Sequence, residues 1–179
     1  MMASKLNNKF SIAEKNVELL SGDDWAPWFE YQVENALSSV FLSIYMISDH
    51  WRSPEVGKMD LVETLARAAM RGLTCRLIID QPHAVNRKIK FNTKAATKLQ
   101  EHGWKIRIMP ANRTLHEKVL LLDKHLTVIG SHNISKASAI SNFDTSLAIE
   151  SQALGDRIYR QFWERWRVAV PFESDIWLR

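Results

Sequence analysis

The chemistry of this chain concentrates between residues 116 and 133. His116-Glu117-Lys118 leads into the apolar run Val119-Leu120-Leu121-Leu122, which Asp123 closes. Side chains alternate faces along a strand, so this spacing sets His116 and Lys118 on one side, about 7 Å apart at roughly 3.3 Å per residue. That gap suits two groups on one phosphate: a ring nitrogen at phosphorus and an ammonium on a non-bridging oxygen. The apolar run predicts a central, rigid strand behind them, as a preorganised site requires. Gly130-Ser131-His132-Asn133 follows. Ser131 and Asn133 share parity and can donate hydrogen bonds to the same phosphate oxygens, while Gly130 lets the backbone turn and approach closely. Asp123 has the opposite parity from His116. Beside Lys124 at the strand end, it suits bracing a turn or receiving a backbone N–H.

The rest of the chain must position these groups. With 46% hydrophobic and 25% charged residues over 179 positions, the composition is that of one sizeable globular domain and excludes a disordered chain or a coiled coil. One cysteine, Cys75, excludes an intramolecular disulfide and a cysteine-based zinc site. No apolar stretch approaches the roughly 18 residues that span a bilayer, and Met1 to Lys15 has no secretory h-region. A cytoplasmic location is the expectation. The net charge of +4 is uneven: residues 81–122 hold nine Lys and Arg against two Glu, or +7, leaving −3 elsewhere. Such asymmetry suits a polyanionic partner, nucleic acid first, although a solvated basic helix face explains it as well.

Periodicity predicts a helix over Ser11 to Leu20 and another from about Pro27 to Ser39. A buried strand follows over residues 40–47, then a helix over Asp60 to Met70 ended by Arg71-Gly72, and a strand over Cys75 to Ile79. Arg87 to Lys90 reads as a basic loop, Thr93 to His102 as a helix, and Trp104 to Met109 as a strand with one wet face. Residues 115–122, 126–129 and 145–149 read as strands, and Gly155 to Val168 as an amphipathic helix. The alternation implies a single α/β domain, a mixed sheet flanked by helices on both faces.

The motif resembles that of the phospholipase D superfamily: His-x-Lys, four residues, Asp, six residues, Gly-Ser-x-Asn. His116, Lys118, Asp123, Gly130, Ser131 and Asn133 keep every interval, six fixed positions in 18 residues. The likeness extends to Tyr45-Met46-Ile47-Ser48-Asp49, Arg71-Gly72 and the strand Arg76 to Asp80, so it runs from about Ala36 to Arg167. It implies a phospholipase D-like catalytic domain over residues 23–170, with a helical extension at 1–22 and a tail at 171–179. It implies phosphodiester hydrolysis without a metal or other cofactor. His116 would form a covalent phosphohistidine, a second histidine would act as acid and then base, and Lys118 and Asn133, assisted by Ser131, would hold the developing charge. The chain carries one such motif. Single-motif members, typified by small bacterial nucleases, complete the site as homodimers, so the resemblance implies one site built from two copies of His116. Those relatives also carry a glutamate after the Asn that orients the histidine. Asp144 fits that place here and Glu150 is its rival.

A metal cluster of His116, Asp123, His125 and His132 is disfavoured, because Lys118 on the site face would repel a cation. Arg87, Lys88, Lys90 and Lys94 are candidates for tracking nucleic-acid phosphates, and Ser135 and Lys136 for a distal phosphate. DNA, with RNA also open, is the expected substrate. The alternatives are a cardiolipin-type phospholipid and a non-catalytic DNA-binding subunit of a defence or restriction complex.

Overall fold

A computed structural model of the chain describes residues 11–48, 60–80 and 88–173. Strand β1 (Val17–Ser21) follows a short 3-10 turn, and helix α1 (Trp25–Asn35) comes next, with Pro27 in its first turn, where a missing N–H costs nothing. Strand β2 (Ser39–Ile44) is buried at every residue. Helix α2 (Leu61–Met70) starts at Asp60, whose side chain accepts the Val62 and Glu63 amides at 3.0 and 3.1 Å. It ends at Gly72, whose positive φ of 86° suits glycine. Then come β3 (Thr74–Ile79), α3 (Lys88–Glu101), β4 (Lys105–Ile108), β5 (Lys118–Leu122), β6 (Leu126–Gly130), α4 (Lys136–Ile140), β7 (Thr145–Glu150), α5 (Gln152–Val168) and β8 (Val170–Pro171).

The strands form one mixed sheet in the order β1-β7-β6-β5-β2-β3-β4-β8. β2, β3 and β4 run parallel, joined by crossovers through α2 and α3, and the other neighbours are antiparallel. One face carries Leu42, Ile44, Leu77 and Leu120 and packs under α1, α2 and α3 in the main core. The other carries Phe41, Ile78 and Leu121 and packs under Ile158, Phe162 and Trp166 of α5. The mixed sheet with helices on both faces is thus the observed architecture. Cys75 lies buried in β3, where burial pushes its thiol up to about 12, so it is inert at neutral pH.

Helix α5 covers only part of its face. Val119 pairs with Ile129, Ile129 with Leu147 and Leu147 with Leu19, so these four share that face. Val119 packs against the α5 core, but Ile129, Leu147 and Leu19 are exposed. An apolar row therefore runs across β6, β7 and β1 to the sheet edge.

Several expectations change. The helix expected to reach about Ser39 ends at Asn35, and the strand expected over residues 115–122 begins only at Lys118, leaving His116 before it. Residues 11–20 are not a helix: Glu14–Asn16 is a 3-10 turn and Val17–Ser21 is an edge strand paired with β7. Helix formers such as Glu14 and Lys15 suggested otherwise, but only a period of two buries Leu20 while leaving Leu19 outside. Lys88 and Lys90 belong to the first turn of α3 rather than to a loop. At the far end, Pro171 pairs with Arg107 in β8 and Phe172 is buried, so the ordered sheet runs past residue 170.

Candidate active site

The sheet topology brings the end of β2, the start of β5, the end of β6 and the start of β7 to one end of the molecule. Ile44 pairs with Lys118, and Gly130 with Ser146. His116 precedes β5, which begins only at Lys118. Its neighbours hold it on both sides. The Leu115 amide donates to the buried Asp80 carboxylate at 2.7 Å, and the Glu117 carbonyl accepts the Tyr45 amide at 2.8 Å. The His116 ring itself is exposed, with the Tyr45 ring 4.9 Å away. The Lys118 ammonium lies 4.8 Å from the same ring and donates to the His116 carbonyl at 3.0 Å. Tyr45 thus contacts both side chains of the His-x-Lys pair. Beside His116 opens a pocket of about 360 Å³, lined among others by Met109, Arg113, Leu115 and Arg165.

Asn133 reaches the same end. Its side-chain carbonyl accepts the Met46 amide at 3.2 Å, which fixes the amide's orientation and leaves its NH₂ group as a donor pair for a ligand. The backbone around it is stitched to β2: the Ser48 amide donates to the Ile134 carbonyl at 2.8 Å and the Ile134 amide to Met46 at 3.2 Å. Asn92 of α3 ties in the third element, accepting from the Ile47 amide at 2.8 Å and donating to the Tyr45 carbonyl at 3.0 Å. The lysine-bearing start of α3 is thereby attached to the site end of the sheet. Lys94 is exposed there, while Arg87 lies outside the described residues.

Ser131 and Asp144 answer each other rather than a ligand. The Ser131 hydroxyl donates to Asp144 at 2.7 Å and accepts the Thr145 amide at 2.9 Å. A hydroxyl has one hydrogen, so Ser131 is not a free donor to phosphate in this arrangement. Partial burial pushes the Asp144 carboxyl up. Hydrogen bonds from Ser131, Ser138 and Asn142 and the nearby His132 outweigh it and hold the carboxyl below the usual carboxylate range. Among the described residues, no carboxylate bonds to the His116 ring within one chain: Asp144 is on Ser131, and Glu150 sits at the opposite end of β7, paired with Leu126. Ser135 is committed as the cap of α4, accepting the Ser138 amide at 3.2 Å, while Lys136 lines a second, largely apolar pocket with Met46 and Ile140.

Asp123 stands outside this cluster. Five residues beyond Lys118, it lies about 17 Å away at the other end of the sheet. There, with φ of 49°, its carboxylate accepts the Leu37, Ser38 and Ser39 amides at 2.8, 2.8 and 2.9 Å and the Ser38 hydroxyl at 2.9 Å. Partial burial raises its pKa, but these four donors prevail and hold the carboxyl below its ordinary value. This motif residue fastens β5 to the start of β2.

Tyr45, Asp80 and Glu117 act here without having been singled out for the site. Tyr45 and Asp80 lay within the quoted family pattern, but their contacts depend on strand register, which spacing alone does not supply. Among the described residues, no three of His, Cys, Asp and Glu gather to hold a metal ion, and no helix is long and apolar enough to cross a membrane.

Known proteins match this arrangement. The family model for the cardiolipin synthase, PLD-like domain matches residues 31–166. A phospholipase D of Rickettsia typhi is 29% identical over 133 residues, 74% of this chain and 57% of that protein. The chain spans little more than half the length of the curated relatives it matches first. Nuc of Salmonella typhimurium, a phospholipase D family member, superposes with a TM-score of 0.71 at 18% identity, covering 88% of this chain and 99% of that one. NucT from Helicobacter pylori gives 0.71 at 18% identity, with 87% and 98% covered. With the family model spanning most of its length and the same fold in both solved structures, the chain belongs to the phospholipase D superfamily.

Proposed function

We propose that this protein is a cytoplasmic phosphodiesterase that hydrolyses nucleic acid, DNA foremost, through a site shared by two copies of the chain. The observation that carries the proposal is the contact of Tyr45 with both His116 and Lys118 at one end of the sheet, with Asn133 bound to the amide of the next residue, Met46. The neutral His116 ring attacks phosphorus, a P–N bond forms, and the P–O bond to the leaving group breaks. His116 of the second copy gives that oxygen its proton. It then takes a proton from water, which attacks phosphorus and breaks the P–N bond, releasing a phosphomonoester and restoring both rings. Lys118 and the Asn133 amide hold the charge that builds on the non-bridging oxygens. Lys118 supplies the positive charge a metal would bring, so the reaction runs without one.

Two features support the shared site. The His116 ring is exposed and, among the described residues, has no carboxylate partner within its own chain, and the bare apolar row Leu19-Leu147-Ile129 offers a face for a second copy to cover. Nucleic acid is favoured by the excess of nine basic over two acidic residues in 81–122 and by the tie of α3 to the site through Asn92. The cardiolipin-type alternative draws on the apolar pocket of about 410 Å³ formed by Met46, Ala137 and Ile140 near Asn133.

Plasmid DNA and cardiolipin-containing vesicles, each incubated with the protein in EDTA, decide between them. Nicking of the plasmid, abolished in His116→Asn, is the expected result. Release of headgroup from vesicles with intact plasmid would move the substrate to lipid. A dimer that cleaves neither but binds duplex in a salt-dependent way would leave a DNA-binding subunit.

A further inference from the structure

Glu117, the residue between His116 and Lys118, has no part in the chemistry above, yet its carboxylate is heavily used. It accepts the Ser43 hydroxyl of β2 at 2.7 Å, receives Gln161 of α5 at 3.4 Å, and forms an ion pair with Arg165 of α5. These partners set its direction: held by Ser43, Gln161 and Arg165, the Glu117 carboxylate faces α5. Glu117 and Arg165 side chains are 22% and 30% exposed, so this pair is better shielded from water than an ordinary surface pair. The helix it grips is itself fixed. Arg107 of β4 donates to the Trp166 and Ala169 carbonyls at 2.6 and 3.2 Å, and Arg76 of β3 stacks 5.1 and 5.3 Å from the Trp163 and Trp166 rings.

We infer that Glu117 is a positioning residue for His116, a clamp through which α5 and β2 fix the backbone that carries the attacking ring. His116 lies outside β5 and its ring makes no hydrogen bond to a described residue, so its placement depends on its neighbours. On one side Leu115 is held by Asp80, and on the other Glu117 is held by its carbonyl and its carboxylate. Releasing the carboxylate lets His116 wander from the in-line position, and errors near 1 Å cost rates of order 100-fold. Substrate affinity, set by other groups, is spared.

The inference rests on the phosphodiesterase proposal, so the test carries one readout that needs no activity. Dimeric wild type, Glu117→Ala, Glu117→Gln and Arg165→Met are compared on bis(p-nitrophenyl) phosphate. The 13C-labelled His116 ring, assigned by its loss in His116→Asn, is followed by NMR. Glu117→Ala and Arg165→Met are expected to lower kcat about 10- to 100-fold with KM within about threefold. Their His116 signal broadens or doubles. Glu117→Gln, which keeps an acceptor for Ser43 and Arg165, recovers most of kcat. The double variant is no worse than either single one, because both cut the same tie. Unchanged kcat with a single sharp His116 signal, or a loss confined to KM or to thermal stability, would overturn the clamp. If Glu117→Ala does not fold, Arg165→Met cuts the tie from the α5 side, and its kcat and His116 signal against wild type and Glu117→Gln decide the case. A wild type inactive on every phosphodiester would defeat the parent proposal alone, and the NMR comparison would still decide the role of Glu117.

Discussion

Lys118 donates to the His116 carbonyl and lies over the face of Tyr45 in the resting molecule. Both contacts are weak enough to exchange for a phosphate oxygen, and both keep the ammonium within reach of it. Lys118→Ala is therefore expected to lower turnover at least about 100-fold, the usual cost of one preorganised charge donor, with the circular dichroism spectrum unchanged. Asp123 makes the opposite case, a motif residue whose work is mechanical. Its carboxyl is held below the ordinary carboxylate value in the fold, so its contribution is complete above about pH 4 and lost as pH falls through the folded value. Asp123→Asn should shrink the difference in Tm between pH 6 and pH 3, and Asp123→Ala should cost about 2–3 kcal/mol by urea unfolding, since three backbone amides lose a charged acceptor that is only part-buried. His116, Lys118 and Asn133 were legible because the spacing of a strand and a loop is local. The fate of the Ser131 hydroxyl was not, because its proton goes to Asp144, thirteen positions away on the far side of α4.

Among the elements, the long amphipathic ones could be read directly. α2 and α5 begin and end close to their expected limits, with Asp60 and Ser151 as caps. What failed was β1, whose existence depends on a partner strand about 130 residues later, and α4, five residues too short to show a period. The fit of α5 against the turn after β5 is close enough to test. A Cβ at Gly155 would overlap the Lys124 carbonyl, backbone that cannot step aside cheaply. Gly155→Ala should force α5 away from the sheet and lower stability by about 1–3 kcal/mol, despite alanine's better helix propensity, which thermal unfolding would register. Since α5 also holds Glu117, some loss of turnover should accompany it.

For the molecule as a whole, the half-covered sheet face sets the expected assembly. Light scattering should give twice the 20.7 kDa of the chain. Leu147→Asp, in the middle of the bare row, should yield monomers that keep their fold but lose cleavage, because each would hold one His116. The other face hides an optical consequence. Trp25 stacks on His132, ring centroids 4.7 Å apart, and His132 is buried, next in the chain to Asn133. A charged imidazolium quenches an adjacent indole, and burial, opposed by Asp144, keeps the His132 pKa below 6.5. The difference in fluorescence between wild type and Trp25→Phe should therefore dim on acidification below pH 6.5. The protein carries its own lamp beside the loop that would grip its substrate, and no dye need be attached to watch that loop move.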